Sequence, residues 1–417
     1  MGSDAMKFHW FHLMPYPELP EDFKDAYRSV WVDVPSKLFD PNVGHRAYND
    51  YLDELEYAES VGFDGICVNE HHQNAYGLMP SPNLIAAALA RRTSKAKLVV
   101  MGNSVALYDP PTRVAEEMAM LDCMSGGRLV AGFPVGTPMD TVFAYGKSPA
   151  TLRDRYYEGV KLILRAWAEP EPFAFNGKYT QLRYVNVWPR PIQTPHPPVW
   201  IPGGGSVETW DWCVDNDFLY ANLSYFGYLQ GQKVNDGYWA TVEKAGKEKN
   251  PYRCGFLQFI GVAENDAEAE RLYAGPALYF YQRCLHTYPG FGNPAGYTSI
   301  PTMRAGIESM VARSTNRNAV ENLTWKDLIE RGYVVAGSPE SVTQQLENLA
   351  DKMHVGHLMV LCQYGDMSKE TTMYNTTRFA KEVMPKLRNK FSEYEDKWWP
   401  TQTLDDMAIP APLTTLV

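Results

Sequence analysis

The chain has 417 residues, 45% apolar and 21% charged, which suits one large barrel with insertions or two ordinary domains. Lys and Arg number 39 against 49 Asp and Glu; the net charge of −10 repels nucleic acid and anionic membrane, and no basic stripe offsets it. No run of eighteen apolar residues is available to span a bilayer. Cys67, Cys123, Cys213, Cys254, Cys284 and Cys362 form no Cys-x-x-Cys pair, so the expectation is a cytoplasmic protein with reduced thiols.

Residues 1–5 read as an expression scar, with Met6 the natural start and no secretory signal behind it. Lys7–Leu13 predicts a first strand and Arg46–Val61 a helix whose Tyr51, Leu52, Leu55, Tyr57 and Ala58 share one side. Phe63–Asn69 is a second strand, Asn83–Ser94 a helix, Lys97–Asn103 a third strand and Thr112–Met124 a helix. Gly126-Gly127 turns the chain into a fourth strand, Arg128–Phe133, and Leu152–Ala168 is again helical. Gly177–Val187 reads as a hairpin excursion. Val199–Ile201, Phe218–Leu223 and Gly255–Val262 are the next three strands, separated by helices over Ser206–Asp215 and around Gln232–Ala245. Glu268–Tyr281 is helical, with Gly275-Pro276 expected to bend or break it. Leu285–Arg317 is irregular and too long for a plain connector, which marks it as a lid or binding loop. Helical pieces around Leu323–Arg331 and over Ser338–Lys352 precede an eighth strand, His357–Gln363, and a last helix, Thr371–Leu387. Residues 389–417 form a Trp-, Pro- and Thr-rich tail, free to cover a neighbour or its own barrel.

Eight strands alternating with helices predict an α/β fold: a closed (β/α)8 TIM barrel over residues 6–388, with a lid insertion at 285–317 and the C-terminal tail. A doubly wound open sheet is the alternative, but no Gly-x-Gly-x-x-Gly opens the first helix, which counts against a Rossmann dinucleotide site. In either architecture chemistry collects at the carboxyl ends of the strands.

The run Phe63–Asn69 ends abruptly in Glu70-His71-His72, as a buried strand does when it opens into a site. Neighbours in an extended segment face opposite ways, so His71 and His72 cannot both address one ligand. No His-x-His or His-Glu-x-x-His assists, and no metal is expected. Either Glu70 simply buttresses a histidine, or one imidazole serves proton transfer near neutral pH. Pro202-Gly203-Gly204-Gly205-Ser206-Val207-Glu208-Thr209 follows a strand and opens a helix. Its glycines allow close backbone approach, and the free N–H groups with the Ser206 and Thr209 hydroxyls make a phosphate cradle. The plainer alternative is that Ser206 caps the helix after a flexible loop. Gly102-Asn103 ends the third strand, where it suits either contact with a planar ligand or a turn. Arg153, Arg155 and Glu158 lie at helical spacings and read as a structural ion pair.

In this order and at this spacing the motifs resemble the bacterial luciferase-like flavin monooxygenases, over about residues 6–386. Gly62-Phe63-Asp64 leads to Glu70-His71-His72, followed by Leu121-Asp122, Ser125-Gly126-Gly127-Arg128 and Gly132. Then come Trp188-Pro189-Arg190-Pro191, Pro197-Pro198-Val199-Trp200, the 203–209 turn and Gly337-Ser338-Pro339-Glu340. Phe11-His12-Leu13-Met14-Pro15-Tyr16 resembles a long-chain branch of that family.

The resemblance implies reduced FMN at the carboxyl end of the barrel, delivered by a transient partner flavin reductase and used with O2 to oxygenate a small organic substrate. It assigns catalysis to His71, with Glu70 and His72 beside it. It sets Gly102-Asn103 beneath the flavin, at a dipeptide that carries a non-proline cis bond in relatives. Gly203, Gly204, Gly205, Ser206 and Thr209 fall around the phosphate, and His12 and Tyr16 in the substrate pocket. A homodimer is also implied. Three positions depart from luciferase: its phosphate-binding arginine after strand four is Val135, its acidic residue before the phosphate serine is Gly205, and its reactive cysteine is Pro134. The missing arginine leaves the phosphate to the helix start or to a cation elsewhere, and keeps a deazaflavin open as the cofactor. The alternatives are therefore a deazaflavin-dependent oxidoreductase working without oxygen, or a flavin-binding protein without turnover.

Overall fold

The computed structural model describes residues 5–304, 323–401 and 403–404. Its strands, in chain order, are β1 (Lys7–Phe11), β2 (Gly65–Val68), β3 (Lys97–Val100), β4 (Leu129–Gly132), β5 (Phe173–Asn176), β6 (Gln181–Val185), β7 (Val199–Gly203), β8 (Leu219–Asn222), β9 (Cys254–Val262), β10 (Val334–Gly337) and β11 (His357–Leu361). Eight of them close a parallel ring, β1-β2-β3-β4-β7-β8-β9-β11, with β11 returning to β1. This is the expected (β/α)8 barrel. These runs are apolar and almost wholly buried because the barrel interior lies on one face and the helix ring on the other. The excursion after the fourth strand is an antiparallel hairpin, β5–β6, outside the ring.

One strand was not foreseen. β9 is nine residues long; its Cys254–Phe256 stretch pairs with β8, and its Phe259–Val262 stretch pairs with β10. The sequence around β10 reads as a linker between two helices because only four residues separate their turns. The lid segment is irregular but carries a short helix, Pro289–Gly292, and a helical turn at 300–304; the rest of that expectation, residues 305–317, lies outside the described residues, as does residue 402 and the tail beyond 404. Pro276 sits inside the helix Asp266–Tyr279 without breaking it; a wide π-helical turn, Phe280–Cys284, follows.

Several family motifs prove to be braces. Arg128 is buried and donates to the carbonyls of Ala90 (3.2 Å), Thr93 (3.0 Å), Ala96 (2.6 Å) and Ser125 (2.9 Å), so its charge compensates the carboxyl ends of two helices. Asp122 accepts from the N–H groups of Ile192 (2.8 Å) and Gln193 (3.0 Å), pinning the connection into β7.

Side chains alternate along β1. His9 faces the axis, while Phe8 and Trp10 face the helices, Trp10 Nε1 donating to Thr376 Oγ1 at 3.1 Å. At the amino end of the barrel His9, Trp200 and His357 form a buried layer; His9 Nε2 and His357 Nδ1 are 3.0 Å apart. Gly65 belongs to this layer because a Cβ there would lie 2.7 Å from His9 Nδ1. Burial first, then His357, holds the His9 imidazole well below its ordinary range, so it stays neutral. The tail covers its own barrel. Trp399 packs 4.9 Å from the His9 ring, and the Trp398 carbonyl accepts from Trp200 Nε1 at 3.0 Å.

Candidate active site

His71 sits just past β2, at the carboxyl end of the barrel. Its Nδ1 is 2.8 Å from Asp140 Oδ2, and its ring lies edge-on to Trp31 (5.1 Å) and Tyr76 (4.9 Å). Nε2 has no hydrogen-bond partner among the described residues, and the side chain remains 11% exposed. A carboxylate on Nδ1 fixes the tautomer and leaves Nε2 free to take or give a proton. Asp140 is itself buried and tightly held, accepting from Thr137 Oγ1 (3.0 Å), Trp31 Nε1 (3.3 Å) and the His72 N–H (2.8 Å). Burial pushes its carboxyl up, but the His71 charge and hydrogen bond, with the His72 N–H, outweigh this and hold it below the usual carboxylate value. Sequence reasoning missed Asp140. Its one signal was an acidic residue in the otherwise neutral stretch after strand four; the structure puts it in a π-helical turn, Met139–Ala144, a conformation common at functional sites.

Glu70 and His72 turn away from His71, as the alternation of neighbours requires. His72 Nε2 lies 2.6 Å from Glu70 Oε1, and Glu70 also accepts from Tyr108 OH (3.2 Å) and the Ser104 N–H (2.9 Å). The pair ties the chain after β2 to the chain after β3. Gly102-Asn103 follows β3, but the expected cis bond is absent: the cis peptides among the described residues all precede proline. A non-proline cis bond costs about 3–4 kcal/mol. The Asn103 N–H donates to Gly132 O at 3.1 Å. Asn103 is buried with its Oδ1 unpartnered, and the amide oxygens of Asn69, past β2, and Gln363, past β11, are likewise buried without donors. Three acceptors at the same end of the barrel await N–H or O–H groups.

The 203–209 turn joins β7 to the helix Val207–Asn216. Gly205 takes φ +106°, a conformation that favours glycine, and a Cβ on Gly204 would meet open space. Ser206 does not cap its own helix. Instead its Oγ accepts from Arg153 Nη2 at 3.0 Å, and Arg153 Nη1 is 3.4 Å from Thr209 Oγ1. The ion-pair reading of Arg153 with Glu158 is therefore wrong: Glu158 accepts from the N–H groups of Lys178 (2.6 Å), Tyr179 (3.0 Å) and Thr180 (2.7 Å) in the β5–β6 turn, and Arg155 lies over the Tyr179 ring. Arg153 thus brings a guanidinium charge to this turn. Helical spacing alone hid it, because its partners come from another element.

Tyr297 links the two ends of the site. Its hydroxyl donates to the Gly136 carbonyl; burial pushes its pKa up to about 12, with Arg153 opposing and Asp140 adding. It thus lies within electrostatic reach of both the cradle and the His71 buttress. Further along the same segment Thr302 Oγ1 reaches Glu208 Oε2 at 3.0 Å and the Val207 N–H at 3.4 Å, closing over the helix start.

His12 leaves the site. Continuing the alternation of β1, it faces the helix Pro41–Ser60. There Nδ1 accepts from the Met14 N–H (2.8 Å) and Nε2 donates to Glu54 Oε2 (3.1 Å). Burial drives its pKa to about 3 and holds that of Glu54 well above its usual value, so the contact joins a neutral imidazole to a carboxyl group. Tyr16 does line a cavity, described below.

The family model for luciferase-like monooxygenases matches residues 31–353. The chain belongs to that family. Its 2,5-diketocamphane 1,2-monooxygenase 1 relative from Pseudomonas putida is 23% identical over 362 residues, covering 80% of this chain and 92% of that protein. An F420-dependent glucose-6-phosphate dehydrogenase from Kineococcus radiotolerans is 29% identical over 198 residues, covering 46% of this chain and 55% of that enzyme. Among solved folds, the oxygenating constituent of 3,6-diketocamphane monooxygenase from P. putida, in complex with FMN, superimposes with a TM-score of 0.68 at 20% identity, covering 92% of this chain and 99% of that one. Among the described residues no group of three or more His, Cys, Asp or Glu is placed to hold a metal, and no helix is long and apolar enough to cross a membrane.

Proposed function

We propose that the protein is the oxygenase component of a two-component flavin monooxygenase, receiving reduced FMN from a separate reductase. Bound reduced FMN supplies the two electrons by which O2 gives one atom to the substrate and the other to water. Arg153, Ser206, Thr209 and the backbone N–H of Gly204 would hold its phosphate. Asn69, Asn103 and Gln363 offer acceptors to the N–H and O–H groups of its ring and ribityl chain. Those residues fit the group: the cradle carries a guanidinium charge, open space at Gly204 and two hydroxyls.

His71 exchanges a proton with the reacting oxygen or the substrate through Nε2, while Asp140 keeps Nδ1 protonated and stabilises the imidazolium. Trp31, Tyr76 and Tyr297 wall the site against water. Glu70 and His72 position the loops that carry Asn103 and His71. The observation that carries this reading is the Arg153 contact with Ser206 and Thr209, at the barrel end that also holds His71.

The test is a fluorescence titration with FMN, riboflavin and F420, followed by oxygen uptake with an NADH-driven FMN reductase. FMN should bind more tightly than riboflavin, and oxygen should be incorporated into product. Tight F420 binding with none of FMN would replace the reading by an oxygen-independent hydride transfer, which the F420-dependent relative favours.

A further inference from the structure

Beside His71 lies a cavity of about 440 Å3, bounded by the chain after β1, the stretch Val32–Phe39 and the turn Gln73–Ala75. That volume is typical of a small-molecule site. Its walls are apolar, with Leu19, Val34, Leu38, Phe39 and Leu78 prominent, and none of its lining side chains is charged. Of its polar side chains, Ser36 and Gln73 are exposed to solvent. Asn74 donates to the His72 carbonyl (2.8 Å) and accepts from the Gly77 N–H (2.9 Å). Tyr16 is the buried one: its hydroxyl oxygen accepts from the Asp40 N–H at 3.0 Å, but its proton has no acceptor among the described residues. The cavity also shares a wall with the proton-transfer pair. Val32 lines it; the preceding residue, Trp31, touches His71 and donates to Asp140; and the Ala75 N–H binds the Val30 carbonyl at 3.0 Å.

A carboxylate or ammonium placed there would lose hydration and gain no counter-charge, whereas an apolar body with one acceptor oxygen meets both the walls and the free O–H. We infer that this cavity binds an uncharged, mainly apolar small molecule bearing one carbonyl or ether oxygen, with Tyr16 as its donor. We further infer that such compounds are the substrate class of the adjoining site; this second part rests on the monooxygenase reading above.

Three probes of similar size separate the contributions: acetophenone, ethylbenzene and benzoate, titrated against the full chain by ligand-observed NMR or calorimetry. Acetophenone should bind most tightly and benzoate least. Tyr16→Phe, which keeps the ring, should bring acetophenone down to the level of ethylbenzene, a loss of about three- to tenfold, without changing ethylbenzene. Val34→Trp, which fills the space, should weaken both. Benzoate binding as well as acetophenone, or Tyr16→Phe leaving the order intact, overturns the cavity assignment. FMN titrations of the same variants should be unchanged, so failure here is distinguishable from failure of the flavin reading. With reductase and oxygen, coupled product from neutral binders supports the substrate class; product from carboxylates alone overturns it.

Discussion

Replacing Asp140 by Asn is the sharpest perturbation of the proposed chemistry. The carboxylate accepts from four donors: His71 Nδ1, Thr137 Oγ1, Trp31 Nε1 and the His72 N–H. An amide of the same shape has a single acceptor oxygen and turns an NH2 toward the remaining donors, so His71 loses its fixed tautomer. A hydrogen bond to a charged partner contributes about 1.5–3 kcal/mol. At about 1.4 kcal/mol per decade, Asp140→Asn should lower kcat about 10- to 100-fold, with little change in FMN affinity. Two assays read this: coupled turnover with the reductase, and 15N NMR of the imidazoles. The wild-type His71 should show the Nδ1-protonated tautomer, and the variant a mixture. Identical tautomers with kcat within about twofold would refute the positioning role, whatever happened to stability.

Arg153→Met should weaken FMN binding about 10- to 100-fold, the loss of one charge-assisted contact, while riboflavin, which has no phosphate, binds as before; equal losses for both ligands would remove Arg153 from the cradle. His12→Phe tests the neutral-histidine assignment. The folded-state pKa of about 3 lies below the usual 6.5. Between those values the unfolded chain binds a proton that the folded chain excludes, so this contribution to stability is lost as pH falls from about 6.5 toward 3. Urea unfolding at several pH values should therefore show a shallower acid loss in the variant, by up to one proton. An unchanged slope would mean that His12 titrates normally.

Much of this architecture was legible because parallel strands buried on both faces have no choice but to be continuous apolar runs, as Gly65-Ile66-Cys67-Val68 and Leu129-Val130-Ala131-Gly132 are. β10 escaped because a four-residue strand between helix turns has neither length nor period. The positions of His71 and the Ser206–Thr209 turn followed from strand ends. Their partners did not: Asp140 and Arg153 reach them from other elements, and pairwise spacing along one helix says nothing about contacts across space. His12 is different, since counting alternate residues from His9 would have turned it outward.

The floor of the cylinder comes from Trp398 and Trp399, which follow the last barrel strand along the chain. All eight strands of the ring therefore precede the two indoles that close it. A variant cut after residue 388 should leave His9, Trp200 and His357 without their stopper and make that end of the tube more open to proteolysis. Sealing of the tube thus rests on two residues at the end of the barrel opposite His71.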